Sequence, residues 1–141
     1  MKEEYPVTVD LKTEIQMNGD TEKFAFHEPG RLIRLGGGQT YLRYLEHQAG
    51  QETPVQFRLD GKGVQLDRRG PKETRLQFQE DQETITRYQT EYGVIHLAVT
   101  TFELTKEINF EERWGRLTTK YQLKNAGQVL GTYRIQLQFQ A

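Results

Sequence analysis

Apolar and polar residues alternate one by one through almost the whole chain, and spacings of three or four are nearly absent. In an extended strand successive side chains point to opposite faces, so this alternation marks strands with one buried and one wet face. Val7, Val9, Leu11 and Ile15 alternate with polar partners up to Asn18-Gly19-Asp20, and the chain returns through Phe24 and Phe26. Asn and Gly tolerate positive φ, so this is a hairpin. Pro29-Gly30 interrupts the second run and predicts either a bend or a join between two short strands; Gly36-Gly37-Gly38 then closes it. Residues 39–48 fit a helical face through Tyr41, Leu42 and Leu45 and a strand face through Leu42, Tyr44 and Glu46; they are read as a strand.

The same pattern continues. Val55, Phe57 and Leu59 share a face, Asp60-Gly61-Lys62-Gly63 turns, and Val64 and Leu66 follow in phase. Leu76 and Phe78 mark the next strand, Glu80-Asp81 turns it, and 84–90 runs back to Tyr92-Gly93. The phase of Ile95, Leu97 and Val99 slips before Phe102 and Leu104, which predicts a bulge near Thr100-Thr101. Turns at Glu111-Glu112 and Asn125-Ala126-Gly127 separate the last runs, giving about ten strands. Short strands joined by tight turns, with no helix between them, form an antiparallel meander that must close or stack to hide its edges. The expectation is a single all-β domain over 1–141, a meander barrel of about 8–10 strands. A two-sheet sandwich is second choice, because no connection is long enough for an obvious crossover.

Composition removes several chemistries. The chain has no Cys and no Ser, so disulfides, sulfur-ligated zinc and the usual acyl-transfer nucleophiles are absent. Its 141 residues carry a formal net charge of -1, which provides no global field toward nucleic acid or anionic lipid. No apolar run approaches the ~18 residues of a membrane helix. The N-terminal Met1-Lys2-Glu3-Glu4-Tyr5-Pro6 lacks an apolar signal segment, so a cytoplasmic location is expected.

Individual motifs are bland. His27, His47 and His96 have no metal-ligand spacing, and no metal or cofactor is expected. Gly36-Gly37-Gly38-Gln39-Thr40 is followed by a strand rather than the helix a phosphate loop needs. Glu46, Glu91 and Glu103 are carboxylates without a recognisable pairing. Arg68-Arg69 with Lys72 and Arg75 is the densest basic stretch, but Asp67, Glu73 and Glu80 interleave with it. It reads as a charged hairpin rim, and nucleic acid is not an expected partner: any binding should vanish near physiological salt, and replacing Arg68 and Arg69 should then be nearly silent.

The more suggestive pattern is aromatic and polar mixing on strand faces: Tyr41 with Arg43, Tyr44 with Glu46, and Thr84, Thr86, Tyr88, Thr90 and Tyr92 in phase. Facing inward, such a row would line a polar cavity; facing outward, Thr and Tyr are simply good strand formers. Tyr88, Thr90 and Tyr92 are the first candidate ligand cluster, with Arg43 and Arg87 for an acidic group of the ligand, and Tyr41 and Tyr44 alongside.

The segments Tyr41-Leu42-Arg43-Tyr44-Leu45-Glu46, Arg69-Gly70 and Tyr88-Gln89-Thr90-Glu91-Tyr92-Gly93 resemble, in order and spacing, the YwiB-like family of uncharacterised bacterial proteins. That resemblance implies a calycin-like barrel, the architecture of lipocalins and fatty-acid-binding proteins. The lipocalin signature itself is missing, because no Gly-x-Trp stands on the first strand and the only Trp, Trp114, falls late; Arg134 on the last strand lacks its expected partner. The functional expectation is a non-enzymatic protein that binds a small amphipathic ligand in the barrel. The alternative is an interaction or regulatory protein whose filled barrel contacts a protein or RNA partner. Self-association stays open.

Overall fold

The computed structural model describes all residues except Pro71, Lys72 and Glu91, and the side chains of Gln89 and Thr90. Ten strands follow in order: β1 Glu3–Met17, β2 Asp20–Arg34, β3 Thr40–Gln48, β4 Gln51–Arg58, β5 Val64–Arg69, β6 Glu73–Phe78, β7 Glu83–Thr90, β8 Gly93–Asn109, β9 Trp114–Asn125 and β10 Gln128–Gln140. No helix occurs among the described residues. The strands form one antiparallel sheet in the order β6-β5-β4-β3-β2-β1-β10-β9-β8-β7, so every neighbour is a sequence neighbour except that β10 returns to β1. The ambiguous segment 39–48 is strand, as its tyrosine and leucine alternation predicts.

Turn chemistry sets the hairpins. Asn18-Gly19, Ala49-Gly50 and Ala126-Gly127 each hold two successive residues at positive φ, the conformation whose twist suits a two-residue hairpin. The bulge lies between Thr101 and Glu103, where the β8–β9 register shifts. Phe102 is the extra residue, exposed, and Leu104 recovers the inward phase. Pro29-Gly30 does not break β2, but the β2–β3 ladder begins only at Gly30. Proline has no N–H to offer β3, and a Cβ on Gly30 would lie 2.7 Å from Val9 Cγ2 and 3.0 Å from the Arg43 carbonyl oxygen. The first half of β2 therefore stays with β1 and parts from β3.

The sheet closes at β6 and β7, which are joined by a turn yet share no backbone ladder among the described residues. Thr84 Oγ1 donates to the Gln77 carbonyl at 2.8 Å, and Thr86 Oγ1 donates to the Arg75 carbonyl. Side-chain hydroxyls thus take the place of backbone pairing along this seam. The result is a nearly closed barrel.

Its interior is filled. Val9, Leu11, Leu32, Leu42, Phe57, Leu66, Phe78, Val99, Leu117, Ile135 and Leu137 are essentially inaccessible and form one continuous core. Burying a side chain of this size contributes about 1.5–3 kcal/mol, so these alternating positions supply most of the drive to fold. One barrel end is capped by the Tyr5 and Phe110 rings, whose centroids lie 5.7 Å apart, with Arg113 over Tyr5 and Arg34 over Phe110. Beside them Lys106 Nζ donates to the carbonyls of Leu59, Gly61 and Gly63 at 2.7–3.1 Å. It pins the β4–β5 turn, and burial lowers its pKa.

Candidate functional site

The opposite end of the interior is polar. Tyr44 and Glu46 are in phase with Leu42 on β3, and Arg68 is in phase with Val64 and Leu66 on β5, so all three point inward. Tyr44 Oη donates to Glu46 Oε2 at 2.8 Å, and Arg68 Nε and Nη2 each donate to the Glu46 carboxylate at 3.3 Å. Glu46 is 6% exposed. Burial, reinforced by the Glu46 charge, holds the Tyr44 phenol far above its ordinary pKa. Tyr121 is likewise raised by burial, with Arg68 opposing, and its ring stacks on Tyr133 at 5.0 Å between centroids. The Tyr133 phenol is raised by burial and then by Tyr88. A largely buried ion pair, itself hydrogen-bonded by a tyrosine, orders this end of the barrel.

The expected residues therefore part company. Tyr44 and the half-buried Tyr88 face the polar end of the interior. Tyr92 does not continue their row: β7 ends at Thr90, and Tyr92 sits in the following turn, 93% exposed. The side chain of Thr90 lies outside the described residues. Arg43 is on the outer face, donating to Gln56 Oε1 at 2.6 Å, and Tyr41 lies beneath the guanidiniums of Arg43 and Arg58. Arg87 is outward and exposed. Tyr92 thus leaves the expected row because the strand ends before it, and Arg68, read as part of a charged hairpin rim, instead turns inward to pair with Glu46.

A groove of about 700 Å³ lies on the outer face of β1 to β5. It opens where β2 leaves β3, and Pro6, Pro29, Ile33, Leu45 and Pro54 supply its apolar surface. Leu45 is 40% exposed there. Across the splayed gap, Glu28 accepts from the His47 backbone N–H at 2.7 Å and meets His47 Nδ1 at 2.9 Å. The hydrogen bond to Glu28 raises the His47 pKa; burial opposes ionisation of Glu28, yet the His47 bonds lower its pKa overall. At the rim, Glu4 pairs with Arg31 at 3.5 Å and Asp67 with Arg75 at 2.8 Å. Among the described residues neither Arg43 nor Arg69 has a carboxylate within ion-pair distance.

This architecture has relatives. A family model described as a domain of unknown function, DUF1934, matches residues 9–137. The chain belongs to that family. It is similar to the uncharacterized beta-barrel protein YwiB of Bacillus subtilis (strain 168), 26% identical over 124 residues, spanning 87% of this chain and 84% of the relative. The crystal structure of the ywiB protein from Bacillus subtilis superposes with a TM-score of 0.81 at 20% identity, covering 98% of this chain and 92% of that one. The YwiB-like resemblance of the three sequence segments is therefore borne out, and so is the barrel.

The groove was not legible as a site, but it left traces. Three of the four prolines, at 6, 29 and 54, line it, and proline within a sheet marks places where backbone pairing is relaxed. Glu46 and Arg68 left a clearer one, since each is a charge in phase with core residues of its own strand. Among the described residues no cluster could hold a metal ion, and no helix is long and apolar enough to cross a membrane.

Proposed function

We propose that this protein is a non-enzymatic binding protein whose filled barrel is a scaffold and whose outer groove takes a small amphipathic ligand bearing an acidic group. The observation that carries this reading is the coexistence, in one groove of about 700 Å³, of an apolar surface and two arginines, Arg43 and Arg69, without a carboxylate partner among the described residues. Ligand sites are usually concavities of roughly 300–1,000 Å³, largely apolar, with a few polar groups that fix orientation. The packing of Phe57, Phe78 and Tyr121 in the interior supports a ligand held outside the barrel.

Sodium dodecanoate, titrated into the isotopically labelled protein, tests this reading. Amide shifts at Ile33, Leu45 and Gln56 are expected to saturate together, and Leu45→Asp, at an exposed position, is expected to abolish them while leaving the fold intact. Shifts confined to core residues, or none in the groove, would overturn the proposal.

A further inference from the structure

A second pocket, of about 440 Å³, adjoins the groove, and Asp67 and Arg69 line both. Its lining includes four arginines from three strands, Arg68 and Arg69 of β5, Arg75 of β6 and Arg87 of β7, of which Arg68 turns its guanidinium inward. Two of them are committed, Arg75 to Asp67 at 2.8 Å and Arg68 to Glu46 from the inside. Among the described residues Arg69 and Arg87 have no carboxylate within ion-pair distance, and Glu73, the further acid on this wall, pairs with none of the four. Four arginines against Asp67 and Glu73 leave this lining net positive, and arginine forks match the oxygens of phosphate two at a time.

We propose that this arginine pocket is the subsite for a phosphate monoester head group, with the tail of the same molecule lying in the apolar groove. The assignment rests on the reading of the groove as an amphiphile site. A carboxylate offers one charge and two oxygens, whereas a phosphate monoester near neutral pH offers close to two charges and three terminal oxygens. That matches Arg69 and Arg87, the two arginines of this lining without a carboxylate partner among the described residues. Asp67 and Arg69 line both cavities, so a head group in one and a tail in the other would meet at these two side chains. The head group would also bridge β5 and β6 to β7, across the seam where, among the described residues, the Thr84 and Thr86 hydroxyl bonds stand in place of a ladder.

The test compares inorganic phosphate, monododecyl phosphate and dodecanoate on the full chain at constant ionic strength, reading backbone amides and arginine Nε–H signals. Phosphate alone is expected to move the Arg69 and Arg87 side-chain signals and leave Leu45 unmoved. Monododecyl phosphate is expected to bind at least tenfold more tightly than either other compound and to move both sets. Arg87→Gln, which lies outside the groove, is expected to erase the preference for phosphate over carboxylate while the dodecanoate shifts at Leu45 persist. Equal binding of the two amphiphiles, or a preference that survives Arg87→Gln, overturns the head-group assignment with the groove reading intact. Absence of any amphiphile response at Leu45 and Ile33 overturns the groove reading, and with it the joined site; a response to phosphate alone would then mark a free-anion pocket instead.

Discussion

Replacing Arg68 with Met is expected to destabilise the protein by about 2–3 kcal/mol, because it strands a carboxylate inside the barrel. Removing one partner of a buried ion pair usually costs about 3–5 kcal/mol, most of it from the charge left behind without compensation. Two features of this pair reduce the figure. The Arg68 side chain keeps 29% of its accessibility, and its two bonds to Glu46 are 3.3 Å long, beyond the usual 2.7–2.9 Å of a charge-assisted bond. Glu46 also retains its bond from Tyr44, at 2.8 Å, in the variant. With an unfolding entropy of about 2.1 cal/mol/K per residue, the loss corresponds to a Tm lower by about 7–10 °C for this chain length. Urea unfolding followed by circular dichroism measures it. The double variant Glu46→Leu with Arg68→Met removes both charges, and it is expected to be more stable than Arg68→Met alone. A cost below about 1 kcal/mol for Arg68→Met, or strictly additive losses in the double variant, would refute the reasoning that a coupled internal pair is being broken.

Three further outcomes are expected. Gly30→Ala places a methyl group 2.7 Å from Val9 Cγ2 and 3.0 Å from a backbone oxygen, so it should cost about 1–3 kcal/mol in thermal unfolding; a neutral result would mean that β2 and β3 can part without strain. Thr84→Val with Thr86→Val removes the hydroxyl bonds of the seam, so each should cost about 0.5–1.5 kcal/mol and amide exchange should accelerate in β6 and β7 before it does in β1 and β10. The His47–Glu28 bridge depends on pH: the raised His47 pKa contributes stability that is full below about 6.5 and lost as pH rises through its folded value, and the lowered Glu28 pKa contributes above about 4.5 and is lost as pH falls. The Tm gap between the wild type and His47→Gln should therefore be widest between about pH 4.5 and 6.5, and a gap that grows toward pH 9 would contradict the assignment.

Alternation is a property of one strand and its immediate neighbours along the chain, which is why the ten strands, their turns and the bulge beside Thr101 could be read from the order of residues. The same parity already placed Glu46 with Leu42 and Tyr44, and Arg68 with Val64 and Leu66, on faces that had to be buried. What parity cannot contain is which face meets which. Residues 46 and 68 become partners only because β4 carries the chain from one to the other and the sheet curls, and the same closure brings Tyr88 within electrostatic range of Tyr133. Tyr92 shows the limit from the other side: it keeps the phase of Tyr88 in sequence, but the strand ends before it and phase has no meaning in a turn. The sequence by itself determined an all-β meander with a continuous apolar face, because burial of alternate side chains is decided residue by residue. Only the tertiary structure decided that the barrel would be filled, that β2 would leave β3 to open a groove, and that Arg87 would join Arg75 and Arg69 around one pocket, because those depend on curvature and closure summed over all ten strands.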